Sequence, residues 1–98
     1  MQTLIPQFQM QIGGQSVASE SGAWLDSLNP YTGKVWSQIP RGTAKDVDRA
    51  IRSSHQAFTQ GPWSSMTASD RGLLLHRLGD VIAANAEYLA ELEVSDNG

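Results

Sequence analysis

The sequence contains no cysteine. That absence removes disulfides, thiolate metal sites and cysteine nucleophiles together, and it leaves the redox compartment open. Basic residues are few as well: seven Lys and Arg stand against ten Asp and Glu, for a formal net charge of −3. Nucleic-acid binding selects for clustered cations, and the basic residues here are scattered, so no nucleic-acid partner is expected. Long apolar runs are missing. No stretch approaches the roughly 20 apolar residues of a membrane span. The opening, MQTLIPQFQMQ, has neither the basic start nor the apolar run of a signal peptide. The expectation is a soluble, cytoplasmic chain with no membrane partner. A glycine-rich phosphate cradle is also missing. Gly13-Gly14 lacks the G-x-G-x-x-G spacing and precedes no helix, so it marks a turn.

What is present fits one domain at most. A chain of 98 residues buries only about 60–65% of the surface it would expose unfolded. The hydrophobic fraction of 40% is slightly low for a self-sufficient fold.

The first half predicts β-structure, over residues 8–40. Gln9 to Ile12 and Gln15 to Val17 are short extended runs, and the two glycines between them permit the positive φ angles of a tight hairpin. Ala18 to Gly22 is small and polar, which predicts a surface loop. Ala23 to Leu28 is extended again. The stretch NPYTG, Asn29 to Gly33, is a turn, with φ fixed at Pro30 and a left-handed residue allowed at Gly33. Lys34 to Ile39 alternates, placing Val35, Ser37 and Ile39 on one face and Trp36 and Gln38 on the other. Pro40 ends that strand.

The second half, residues 43–96, predicts two or three helices. Thr43 and Asp46 have capping-box spacing, with Asp in place of the usual Glu or Gln. Val47, Ala50, Ile51, Ser54, Ala57 and Phe58 then form one stripe at helical period. Gly61 and Pro62 stop it. Thr67 and Asp70 repeat the cap, and Leu74, Leu78, Val81 and Ile82 form a second stripe. Asn85 is a candidate new N-cap, followed by Ala86, Leu89, Ala90 and Leu92. The last helix ends at the SDNG corner, whose residues favour turns and helix ends and suggest a bend that leads onward.

Residue chemistry offers little that is catalytic. His76 and Asp80 lie four apart and form a surface pair; a functional dyad needs a third group and a pocket. Glu87 and Glu91 share a solvated helix face. Ser64 and Ser65 read as linker serines, and Trp24, Trp36 and Trp63 as packing anchors.

The order of the segments carries more. IGGQSV, Ile12 to Val17, resembles the I-N-G-x-W-V hairpin of aldehyde dehydrogenases, with Gly for Asn and Ser for Trp. LNPYTGKVWSQIP, Leu28 to Pro40, is similar to that family's N-P-x-T-G-x-V-x-x-x-(V/I)-P strand pair. AKDVDRAIRSSHQAF, Ala44 to Phe58, resembles its D-V-D-x-A-V helix. GPWSSMTASDRGLLLHRLGDVI, Gly61 to Ile82, resembles its P-W-x-x-x-(S/T)-x-x-x-R-G run. Tyr88 to Gly98 resembles L-A-x-L-E-(T/S)-x-D-N-G, which in the family continues with Lys. The resemblance covers the chain from Gln9 onward. Gly79 replaces a usual Ala, at a cost of up to about 1 kcal/mol of helix propensity, and Ser53-Ser54 replaces an Ala pair.

The resemblance implies an α+β fragment: a hairpin, a strand pair and two or three helices, scaffold for a doubly wound NAD- or NADP-binding domain. It implies the opening part of a longer enzyme that oxidises an aldehyde to a carboxylic acid. In the family a cysteine thiolate attacks the carbonyl, a glutamate acts as general base, and backbone with an asparagine holds the oxyanion. No catalytic or cofactor-binding residue carries over to these positions. A monovalent-cation site does: Na⁺ or K⁺ held by Ser27, Leu28 and Asp96, mostly through backbone carbonyls. The implied partners are the rest of its own polypeptide and further copies in a dimer or tetramer. A free-standing, non-catalytic interaction or oligomerisation module is the alternative. A CoA-acylating or semialdehyde-specific member of the same superfamily fits equally well, because the substrate pocket lies elsewhere in the family.

Overall fold

The structure is a computed structural model that describes residues 4–98. Four strands form two antiparallel ribbons, and three helices follow. Strands β1 (Met10–Ile12) and β2 (Gln15–Val17) make the first ribbon. Gly13 and Gly14 turn it with φ of 61° and 76°. A two-residue turn of this hand matches the right-handed twist of the strands, and glycine meets the positive φ at both positions without steric cost.

Strands β3 (Trp24–Leu28) and β4 (Val35–Pro40) make the second ribbon, closed by the Asn29–Gly33 turn. There the Asn29 side chain accepts from the Tyr31 amide at 2.9 Å, and Gly33 sits at φ 68°. The pairing runs regularly from Trp24 opposite Pro40 to Ser27 opposite Ser37. It then jumps to Leu28 opposite Val35, leaving Trp36 as an unpaired extra residue. This bulge corrects the simple alternation expected for Lys34 to Ile39. A bulge turns two successive side chains toward one side, and Trp36 accordingly faces the same groove as Ser37 and Ile39. A short run before β1 adds to the free edge of β4. The Phe8 amide donates to the Gln38 carbonyl, and the Gln38 amide to the Pro6 carbonyl, in parallel pairing.

Helix α1 (Ala44–Gln60) opens with the full capping box at Thr43 and Asp46 and stops at Gly61. A 3₁₀ turn, Pro62–Ser65, leads to helix α2 (Ala68–Ala84), capped by the Thr67 hydroxyl. The two serines read as linker belong to that turn; each donates back to the carbonyl three residues earlier. Arg71 ties the turn to α2, donating to the Trp63 and Ser64 carbonyls while its guanidinium lies 5.6 Å from the Trp63 ring centre. Helix α3 (Ala86–Asn97) follows after Asn85 alone. Asn85 does not cap α3 as its position suggested. Its side-chain amide donates to the Val81 carbonyl at 2.8 Å, so it closes α2 instead.

Little of the apolar surface is buried. Among the described residues Ile12 alone is a buried hydrophobic, at 8% exposure, while Leu78 stands at 53% and Phe58 at 77%. The stripes on α1 and α2 face outward uncovered, whereas Leu89 and Leu92 of α3 look toward the second ribbon. The radius of gyration is 17.1 Å, against about 13 Å for a compact chain of 100 residues. The main contacts between elements are within the two ribbons, between α1 and both β1 and the 3₁₀ turn, and between α2 and α3.

Candidate functional site

A groove of about 510 Å³ lies between the second ribbon and α3. The ribbon contributes Ser27, Trp36, Ser37 and Ile39, and Phe8 flanks them. Helix α3 contributes Leu89, Leu92, Glu93 and Asp96. Those four are spaced i, i+3, i+4, i+7, which stacks them along one face. Phe8 and Trp36 meet as a tilted aromatic pair with ring centres 6.0 Å apart.

Asp96 closes one end of this groove. Its Oδ1 accepts from the Ser27 hydroxyl at 2.7 Å and from the Trp36 indole N–H at 3.2 Å. A carboxylate in the last turn of a helix faces the negative end of the dipole, at a cost of about 0.3–1 kcal/mol. Two donors from the ribbon offset that cost. Asp96 Oδ2 has no hydrogen-bond partner among the described residues.

Of the three residues assigned to a cation, Ser27 and Asp96 are therefore side by side. Leu28 is adjacent to Ser27 at the bulge, half-exposed, opposite Val35, and outside the groove lining. No group of three or more His, Cys, Asp or Glu side chains is placed to hold a metal ion among the described residues. The groups that touch the Asp96 carboxylate are both hydrogen-bond donors, the Ser27 hydroxyl and the Trp36 indole.

A second polar cluster escaped the sequence reading. Ala18 to Gly22 is a loop as expected, yet Ser19 within it is buried. The Ser19 hydroxyl lies 2.7 Å from Asp46 Oδ2 and 2.6 Å from the Arg41 carbonyl. Asp46 also accepts from the Thr43 amide at 2.8 Å and the Glu20 amide at 3.1 Å. The Thr43 amide, then the Ser19 hydroxyl, favour the ionised form and lower the Asp46 pKa to about 2, although burial pulls the other way. One carboxylate thereby serves as helix cap and as anchor for a loop 27 residues distant in sequence at Ser19. The signal available in the sequence was the capping-box Asp46; nothing in the loop composition pointed to Ser19.

The other candidates stay apart. His76 and Asp80 are an exposed pair at 3.6 Å. Glu87 and Glu91 lie on exposed helix surface. No helix is long and apolar enough to cross a membrane among the described residues.

Comparison with known proteins places this architecture. The model of the aldehyde dehydrogenase family matches residues 16–98. The chain is 41% identical over 92 residues to the (Z)-2-((N-methylformamido)methylene)-5-hydroxybutyrolactone dehydrogenase of Acinetobacter baylyi, a match covering 94% of this chain and 18% of that protein. It superposes on the NAD-dependent aldehyde dehydrogenase from Sinorhizobium meliloti with TM-score 0.89 and 33% identity, covering 94% of this chain and 18% of that one. The NAD⁺ complex of the aldehyde dehydrogenase from Bacillus cereus gives TM-score 0.89 and 35% identity, with 94% and 19% covered. This chain belongs to the aldehyde dehydrogenase family. It spans under a fifth of the length of these relatives.

Proposed function

We propose that these 98 residues are the N-terminal scaffold of an NAD(P)-dependent aldehyde dehydrogenase that oxidises an aldehyde to a carboxylic acid. The segment supplies structure, and the chemistry resides elsewhere in the polypeptide. A chain without cysteine has no thiolate to attack a carbonyl, and it has no glycine-rich turn to cradle a pyrophosphate. NAD or NADP would be held by other parts of the protein, where it accepts hydride from the substrate. The residues present build strands and helices whose apolar stripes await the rest of the domain. The superposition at TM-score 0.89 over 94% of the chain carries this reading.

A monovalent cation at Asp96 belongs to the same proposal. Ser27 and Leu28 would contribute backbone carbonyls and Asp96 its carboxylate, with Na⁺ or K⁺ joining the strand end to the helix end. Self-association into a dimer or tetramer, and a cytoplasmic location, complete the proposal.

The test is aldehyde-dependent reduction of NAD(P), measured on the full-length protein carrying this segment and on the 98-residue chain. Activity is expected in the first and none in the second. Turnover by the clean 98-residue chain would sink the scaffold reading. An inactive full-length protein would favour the non-catalytic module.

A further inference from the structure

We propose that the Asn97–Gly98 bond is a site of spontaneous deamidation, held back by the last turn of α3. The chemistry needs only two adjacent residues. The Gly98 backbone nitrogen attacks Cγ of Asn97 and gives up its proton, and a cyclic succinimide closes as ammonia leaves. One water then opens the ring at either carbonyl. Residue 97 ends as aspartate or, with the chain rerouted through its side chain, as isoaspartate. No oxidant or reductant is consumed. A following glycine favours the step, because without a Cβ its nitrogen is open to approach and its backbone is free to turn.

Three features of the corner oppose the reaction. Asn97 is the last residue of α3, and a helical ψ of about −42° keeps the next nitrogen away from the face of Cγ. The Gly98 N–H, whose proton must leave, donates to the Val94 carbonyl at 2.8 Å. With Gly98 at φ 77°, this is the left-handed cap that closes many helices. The Asn97 side-chain amide donates to the Glu93 carboxylate four residues back, which ties down the group that would be attacked. All of these groups lie within one helical turn, so the arrangement does not depend on what packs around the segment. Helix ends fray, and each opening of this turn releases the three restraints together. The product then acts on the turn. A carboxylate at residue 97 stands four residues from Glu93 and next to Asp96, in a last turn with no basic residue. Like charges at that spacing, and an anion at the negative end of a helix, both destabilise it. Conversion therefore loosens the turn that presents Asp96 to Ser27 and Trp36.

Mass spectrometry of the full-length protein, aged in warm, mildly alkaline buffer, tests this. The peptide carrying Asn97 should gain the mass of amide-to-acid exchange and split into aspartate and isoaspartate forms. Conversion should be fast in denaturant and about tenfold slower in the native protein, the scale of one net hydrogen bond. Glu93→Gly removes the acceptor and weakens the last turn, and should speed native conversion about fivefold. Ser95→Gly keeps Glu93 and should speed it about twofold. Neither variant should change the rate in denaturant. Asn97→Gln should abolish the signal from this peptide, and Asn97→Asp should melt below wild type. Equal rates in native and denatured wild type overturn the proposal. So does a denatured chain that does not convert. Native conversion that neither glycine variant speeds overturns it as well, since something other than the last turn would then set the rate. An Asn97→Asp protein as stable as wild type overturns the effect of the product on the turn.

Discussion

Ser27 donates to Asp96 across 2.7 Å of space and 69 positions of sequence. A second set of polar contacts joins the two halves of the chain through Ser19, Glu20 and Asp46; this one sits where the bulged ribbon meets the negative end of a helix. An anion at that point is held by donors from outside the helix.

The proposed cation at Asp96 predicts cation dependence. Thermal stability of the full-length protein should be higher in K⁺ or Na⁺ than in a bulky organic cation. The variant Asp96→Ala should lose that difference. A wild type equally stable in all three salts, matched by an equally indifferent variant, would remove the cation from the proposal.

Acid response should isolate Asp46. Its folded pKa, about 2, lies below the unfolded value near 3.9, so the ionised form is favoured by folding. Its contribution is fully present above about pH 4 and is lost as pH falls toward 2. Asp46→Asn should be less stable than wild type at neutral pH, and the gap should shrink to nothing near the lower limit. A gap that is constant with pH would assign the effect to packing instead.

Gly61 is fixed by space and not by φ, which is an ordinary −78°. A Cβ there would collide with the Ala57 carbonyl that its own amide bonds at 3.1 Å. Gly61→Ala should destabilise by about 1–3 kcal/mol, the usual cost of forcing an atom into filled space. An unchanged denaturation midpoint would show that the α1 terminus shifts freely.

The isolated chain should associate with itself. Leu74, Leu78, Val81 and Ile82 on α2 remain exposed, and contiguous apolar surface of this kind drives association. Sedimentation over a range of concentrations should show growing species. A single monomeric boundary with a cooperative melt would favour the free-standing module.

The helix starts were legible because capping is local. Thr43 with Asp46, and Thr67 with Asp70, announce themselves within four residues, and both caps form. The Gly-Gly hairpin and the NPYTG turn were legible for the same reason. Asn85 misled because an asparagine between helices serves either end, and the choice falls to geometry that composition does not encode. The Trp36 bulge was hidden for a related reason: period-2 alternation assumes regular pairing, and an extra residue in one strand is visible only beside its partner strand. At the groove, the family resemblance pointed to Ser27 and Asp96. An acid continuing the apolar spacing of Leu89 and Leu92 was a local hint that went unused. Ser19 left no trace, since its partner lies 27 residues away.

The extra residue in β4 also decides what kinds of change this ribbon tolerates. With Trp36 unpaired between Leu28–Val35 and Ser27–Ser37, length matters there more than composition. A conservative exchange at Val35 or Ile39 keeps every neighbour in place. Deleting one residue between Lys34 and Ser37 would let the strands pair without interruption, and strict alternation would then send two adjacent side chains to opposite faces. The indole partner of Asp96 or its neighbour in the groove would be turned away. Insertions and deletions are therefore expected to be selected against in β4 and accommodated at the tip of the Asn29–Gly33 turn, so that the spacing from Val35 to Ile39 becomes a length signature of this corner.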